Sequence, residues 1–229
     1  MNFRLYNPFK LLKKREWILW ISSLFIVGLS SVFSGGEGLL NTFASLIGVT
    51  ALIFVARGDA FGQVLTIVFS ILYAVVSFKF KYYGEVITYL FMSAPAALVT
   101  LIAWLKHPYK DTHEVKVKDM ALKEWAFTTI ISIIFTVAFY FILKKLGNAN
   151  LLVSTISVLT SSYACLLLIQ RSPYYAIAYS ANDIVLIILW ILATIENIKY
   201  LPMILCFIMF LSNDLYGFYN WEKMKKAQK

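Results

Sequence analysis

Apolar residues fall in eight long runs, over 17–33, 39–56, 61–78, 86–105, 125–143, 151–169, 174–195 and 201–219. A helix needs about 20 mostly apolar residues to cross roughly 30 Å of hydrocarbon. The runs suit that length and do not alternate as strands do, so helices are predicted throughout. Turn-forming residues punctuate them: Gly35-Gly36, Arg57-Gly58-Asp59, Gly84, Gly147-Asn148 and Ser172-Pro173. The last break, 196–200, is short but polar. The first run follows a basic stretch, as a signal peptide does. No clean small-x-small cleavage site follows it, so it reads as an uncleaved helix.

Composition sharpens this reading. The chain has 229 residues, 60% hydrophobic and 14% charged, whereas soluble domains average about 45–50% apolar and about 25% charged residues. A soluble enzyme, a secreted disulfide scaffold and a disordered protein are excluded. Cys165 and Cys206 each lie inside an apolar run with no CxxC pattern, so both read as small buried hydrophobes. The net charge is +9, and the placement of the basic residues explains it. Threading the eight runs alternately puts 16 of the 21 lysines and arginines on the side of the chain termini. The positive-inside rule then places both termini in the cytoplasm of a multi-pass protein of the plasma membrane. The basic excess faces anionic lipid headgroups rather than nucleic acid.

A shift of 117 residues lays the second to fourth runs on the sixth to eighth, matching Tyr83 with Tyr200, Met92 with Met209, Trp104 with Trp221 and Lys106 with Lys223. Tyr73 meets Trp190 in the same register. The predicted fold is an all-α integral membrane protein of eight transmembrane helices, an extra N-terminal helix followed by a 3+1+3 parallel repeat. Its parts are a cytoplasmic stretch and extra helix (1–36), a first three-helix repeat (37–106), a cytoplasmic loop and linker helix (107–149), and a second repeat with a basic tail (150–229). Parallel repeats are a transporter device that holds substrate near the midplane, at the repeat interface.

Nothing in the sequence points to an enzyme or a bound cofactor. There is no phosphate-cradling G-x-x-x-x-G-K-[ST] and no acid–His or Ser/His/Asp constellation. His107 and His113 read as solvated loop residues. Asp183 and Asp214 are the acids that lie well inside apolar runs. Such a position costs about 2.5–3.5 kcal/mol on insertion scales and usually marks a working polar interior. Tyr175, Tyr179, Asn182 and Asp183 share one helical face. Asn213, Tyr216, Gly217 and Asn220 share another, with Asp214 at its flank as either a site residue or a fastener between helices. Ser154, Ser157 and Ser161 form a stripe with Thr160 beside it, which reads first as helix packing.

Tyr179, Asn182 and Asp183 are expected to grip a small polar heterocycle, with Asn213, Tyr216 and Asn220 completing the opposite wall. The first repeat offers Thr66, Ser70, Tyr73, Thr88, Tyr89 and Met92, and Pro95 as a hinge. Trp104 and Trp221 are expected to anchor the cytoplasmic interface.

Several stretches resemble one known family. They are Ile71-Leu72-Tyr73 leading to Lys81-Tyr82-Tyr83-Gly84-Glu85, Pro95 nine residues before Trp104, Asn182-Asp183-Ile184-Val185 leading to Leu189-Trp190, and Asn213-Asp214-Leu215-Tyr216-Gly217 followed by Asn220-Trp221. Together these are similar to the PnuC-type vitamin transporters, distant relatives of the SWEET sugar transporters. The resemblance implies uptake of nicotinamide riboside by facilitated diffusion, needing neither ATP nor an ion gradient. A downstream cytoplasmic kinase would trap the product, and a homo-oligomer is compatible with the pattern. Relatives carry thiamine, riboflavin or deoxynucleosides. The family often has Trp-x-x-x-Asn on the seventh helix, where this chain has Tyr179-x-x-x-Asp183 or, one residue out of register, Ala178-x-x-x-Asn182. Many relatives also carry a polar residue where Ala97 stands. An ionised Asp183 would pair with a cationic ring. The rival readings are a proton-coupled symporter using Asp183 or Asp214, and a membrane subunit that does not itself transport.

Overall fold

The computed structural model describes residues 6–33, 38–79, 83–148, 150–196 and 201–229. Within them the chain is helical: α1 (Lys14–Phe33), α2 (Gly38–Ala56), α3 (Ala60–Lys79), α4 (Tyr83–Thr88), α5 (Ala94–Lys106), α6 (Leu122–Lys145), α7 (Leu151–Ile169), α8 (Tyr175–Glu196) and α9 (Leu201–Ala227). A π turn, Tyr89–Ser93, joins α4 to α5, and the backbone stays in the right-handed helical region through Thr88, Ser93 and Ala94. The nine helices thus make eight continuous segments, one for each predicted run. Most reach a few residues past their runs, as α1 does to Lys14, α6 to Lys145 and α9 to Ala227. Long basic side chains lie along a helix end while their charges stay in water, so charge marks the edge of the hydrocarbon and not the end of the helix. The predicted breaks at Gly35-Gly36 and 197–200 lie outside the described residues, and Gly84 falls inside α4.

Among the described residues, four segments are long and apolar enough to cross a membrane by length and composition: Val86–Lys106, Leu122–Lys145, Leu151–Ile169 and Tyr175–Leu192. Large apolar side chains point outward on α1 (Ile18, Ile21, Phe25, Val32) and α6 (Ile130, Ile134, Phe141). On a chain this apolar, such faces meet lipid.

One end of the bundle gathers the N-terminal stretch, the 57–59 turn, the loop 107–121, the α7–α8 turn and the end of α9. Val115 N–H donates to the Gly58 carbonyl at 2.9 Å and Lys118 N–H to that of Arg171 at 3.0 Å. Gln228 both accepts from Val117 N–H at 2.7 Å and donates to the Val115 carbonyl at 3.1 Å. Lys225 pairs with Asp119 and holds its carboxyl below the usual range. This is the basic end. Helices α2, α5, α7 and α9 finish there, and α1, α3, α6 and α8 start there.

The packing order is two three-helix groups. In one, α3 lies between α2 and α5; in the other, α8 lies between α7 and α9. The groups touch along two seams, α2 against α9 and α5 against α7, while α6 packs on α7 and α1 packs on both α2 and α9. At Gly62 a Cβ would stand 2.6 Å from the Val55 backbone nitrogen, so only glycine lets α3 leave the turn this close to α2.

Trp104 and Trp221, expected at the interface, are instead buried at 2% and 0% exposure, with ring centroids 5.4 Å apart. The correction has a simple cause: both indoles face the seams, where Tyr175, Val115 and Met224 cover them.

A buried ion pair ties α1 to both groups. Glu16 and Arg57 meet at 2.7 Å, with side chains 0% and 7% exposed. The Tyr216 hydroxyl donates to the other Glu16 oxygen at 2.8 Å, Lys13 N–H donates to the carboxylate at 2.6 Å, and Arg57 also donates to the Leu11 carbonyl. Asp59 caps α3 by accepting from Phe61 N–H at 2.9 Å, and accepts the Tyr6 hydroxyl at 2.5 Å. Burial and that carboxylate push the Tyr6 phenol upward, and the Tyr6 ring stacks on exposed His113 at 3.5 Å. Removing one member of a buried pair strands the other charge, at about 3–5 kcal/mol. Glu16→Ala is expected to lower the unfolding temperature of the detergent-solubilised protein sharply. Glu16→Met combined with Arg57→Met should recover most of the loss.

Candidate functional site

The face of α8 predicted from helical spacing is the heart of the site. Tyr175, Tyr179, Asn182 and Asp183 all line one cavity of about 200 Å³ between the two helix groups. Facing them, α7 brings Ser154, Ser157, Ser161 and Cys165. The serine stripe therefore lines a cavity as well as packing. Ser157 Oγ and Thr160 Oγ1 each donate to Asn182 Oδ1 at 2.9 Å, which fixes the orientation of that amide. Cys165 is buried as expected and is also a wall residue, its thiol hydrogen-bonded to the Tyr179 hydroxyl at 3.1 Å. Ser161 donates to the Ser157 carbonyl of its own helix.

Asp214 enters from α9 and lines the same cavity as Asp183. Both are buried, at 5% and 4% exposure. One oxygen of Asp183, Oδ2, has no hydrogen-bond partner among the described residues. The site therefore concentrates acid on the α8–α9 wall.

The rest of the predicted α9 wall faces elsewhere. Asn213 Nδ2 donates to Ser23 Oγ at 3.1 Å and to the Met209 carbonyl at 2.8 Å. Tyr216 is bound to Glu16, and Asn220 Nδ2 donates to the Ala56 carbonyl at 3.0 Å. None of these three lines the cavity. The stripe is taken up by α1 and the end of α2. Along α1, Glu16, Ser23 and Ser30 are spaced by seven and buried at 0%, 0% and 6% exposure. That polar stripe was visible in the sequence and marks the partner of Asn213 and Tyr216.

From the other helix group the cavity takes Thr66 and Ser70 of α3, and Thr88, Tyr89 and Met92 near the π turn. Tyr73 lies outside it, against Tyr89 at 4.5 Å between ring centroids. Thr66 and Thr100 turn their hydroxyls back to the Gly62 and Ala96 carbonyls. Ser70 Oγ has no partner. The residue that sequence reasoning missed is Gln63. It is fully buried, lines the cavity, and finds no partner among the described residues for either its amide oxygen or its amide nitrogen. An unsatisfied buried amide costs about 1–3 kcal/mol per group, so such a group is suited to pair with a polar molecule entering the cavity. One wall thus offers a donor and an acceptor on a single amide, and the other offers carboxyls and phenol rings.

Residues 38–223 match the nicotinamide mononucleotide transporter family. The chain belongs to that family. Its relatives include the nicotinamide riboside transporter PnuC of Neisseria mucosa, 30% identical over 195 residues, covering 83% of this chain and 74% of the relative. Another is the nicotinamide riboside transporter PnuC of Haemophilus influenzae, 20% identical over 211 residues, or 91% and 90% of the two chains. A crystal structure of the vitamin B3 transporter PnuC superposes with a TM-score of 0.81 at 28% identity, covering 95% of this chain and 94% of that one. The protein is a helical, multi-pass membrane transporter.

The double hydrogen bond to Asn182 Oδ1 yields a test. With Ser157→Ala and Thr160→Ala together, the Asn182 amide loses its orientation. Ligand affinity is expected to fall about tenfold, the scale of one or two lost hydrogen bonds. Titration calorimetry on the purified protein reads the change.

Proposed function

We propose that the protein carries nicotinamide riboside across the plasma membrane by facilitated diffusion and binds it in the cavity between α3, α5, α7, α8 and α9. The observation that carries this reading is the pairing of unlike walls. A primary carboxamide on the cargo matches the unpaired Gln63 amide, donor to acceptor and acceptor to donor. A pyridinium ring suits the Asp183–Asp214 wall and the face of Tyr179. Two relatives named as nicotinamide riboside transporters support the choice of cargo. The lack of a nucleotide-binding signature in the sequence is in keeping with movement that uses no ATP.

The 3+1+3 reading is supported by the seams. Each joins the first helix of one group to the last helix of the other, as a two-fold axis along the membrane normal requires. Residues 37–106 and 150–229 then form the repeats, 1–36 the extra helix and 107–149 the loop and linker. The basic end faces the cytoplasm and holds both termini, and a cytoplasmic kinase consumes the delivered nucleoside.

Purified protein in liposomes is expected to equilibrate labelled nicotinamide riboside saturably, with no effect of a protonophore. Gln63→Leu and Asp183→Asn should each weaken binding about tenfold or more. Failure to move nicotinamide riboside while thymidine, thiamine or riboflavin equilibrates would replace the cargo. The presence of two buried carboxyls, Asp183 and Asp214, on one cavity favours a second reading, proton symport, which predicts that the protonophore abolishes accumulation.

A further inference from the structure

The two seams are closed at the basic end by the same device with unequal strength. The last carbonyls of a helix have no partner within it and need outside donors. At the end of α2, Trp221 Nε1 donates to the Val55 carbonyl at 3.0 Å and Asn220 Nδ2 to that of Ala56 at 3.0 Å. The Tyr175 hydroxyl adds a bond to Val55 at 3.4 Å, and Glu16 clamps the next residue, Arg57, to Tyr216 of α9. At the end of α7 the partners are exchanged: Trp104 Nε1, from α5, donates to the Leu168 carbonyl at 3.2 Å. Among the described residues no other side-chain hydrogen bond joins α5 to α7.

The helices that carry the two indoles differ as well. α9 runs unbroken for 27 residues. α9 has its proline, Pro202, at its own first turn, where a missing N–H costs no helical bond, whereas Pro95 follows the π turn Tyr89–Ser93 inside the continuous segment α4–α5. A π turn and a residue with no backbone N–H both loosen the helical ladder. Val55, Leu168 and Tyr175 form the cavity floor at the basic end, and the two indoles lie beneath them.

We propose that the α5–α7 seam is the gate through which the cavity opens at the basic end. Trp104 is its latch, the π turn with Pro95 is its hinge, and the α2–α9 seam is the fixed joint. The proposal takes its sidedness from the function proposed above, but its test does not depend on which cargo is carried.

The chain has two cysteines, and Cys165 lines the cavity. Full-length Cys206→Ser protein in oriented lipid vesicles therefore presents a single thiol. Its modification by a membrane-impermeant, charged thiol reagent can be followed from each side by mass spectrometry. Trp104→Phe keeps a ring and deletes the indole N–H. It is expected to speed labelling from the basic side about three- to tenfold, the loss of one hydrogen bond, with labelling from the other side unchanged. Trp221→Phe should stay within about twofold, because Asn220 and Glu16 still hold that seam. Pro95→Ala, which restores a backbone donor at the hinge, should slow labelling from the basic side. Unchanged basic-side labelling in Trp104→Phe, or an equal rise in Trp221→Phe, overturns the latch. Unslowed labelling in Pro95→Ala overturns the hinge, and this variant stands even if Trp104→Phe does not fold. If the gate behaves as described while nicotinamide riboside is not transported, the choice of cargo fails and the gate survives.

Discussion

A polar side chain inside hydrocarbon has to find a partner or a wet cavity, and that constraint arranges this molecule. It explains why α1 is held so firmly to the rest. Glu16 meets Arg57 and Tyr216, and Ser23 meets Asn213, so the polar stripe of α1 is satisfied by the turn after α2 and by α9. It also explains what distinguishes the site. Asn182 and Asn213 are both buried asparagines on membrane helices. The first is oriented by hydroxyls of α7 on a cavity wall, and the second fastens α9 to α1. Polarity alone does not separate a binding residue from a structural one; the neighbour does. Gln63, with an amide that has no protein partner and opens onto the cavity, stands at the far end of that scale.

The same distinction sets how much was legible beforehand. The eight apolar runs were plain because backbone burial in lipid forces helices of a fixed length, and their positions hold within a few residues. The α8 face was legible because the residues it pairs with, on α7 and at the end of α2, line the same cavity, so pairing did not turn it away from the site. The α9 face was misread because helical spacing says which residues lie together, not what they lie against. Trp104 and Trp221 illustrate the same limit. Tryptophan near a membrane-helix end suggests an interfacial anchor, but these indoles turn inward to cap foreign helix ends. The π turn left no sequence signal beyond nearby Pro95. Gln63 was passed over because, four residues after the Arg57-Gly58-Asp59 turn counted from Asp59, it looks like a helix-start polar residue facing water.

The division of labour between helices gives the structure its mechanical sense. The acid wall, Asp183 and Asp214 with Tyr179, belongs to α8 and α9, the group whose end is bound to α2 by the stronger seam. The hinged helix α5 presents Ala96, Ala97 and Thr100 to the cavity, two methyl groups and a hydroxyl already turned to its own backbone. Moving α5 therefore breaks few polar contacts with anything bound in the cavity. A polar residue in place of Ala97 would tie cargo to the moving helix as well as to the fixed wall. In the proposed cycle its absence separates grip from gate: cargo stays on Gln63 and the acid wall while α5 alone swings away, and it leaves when water reaches that wall.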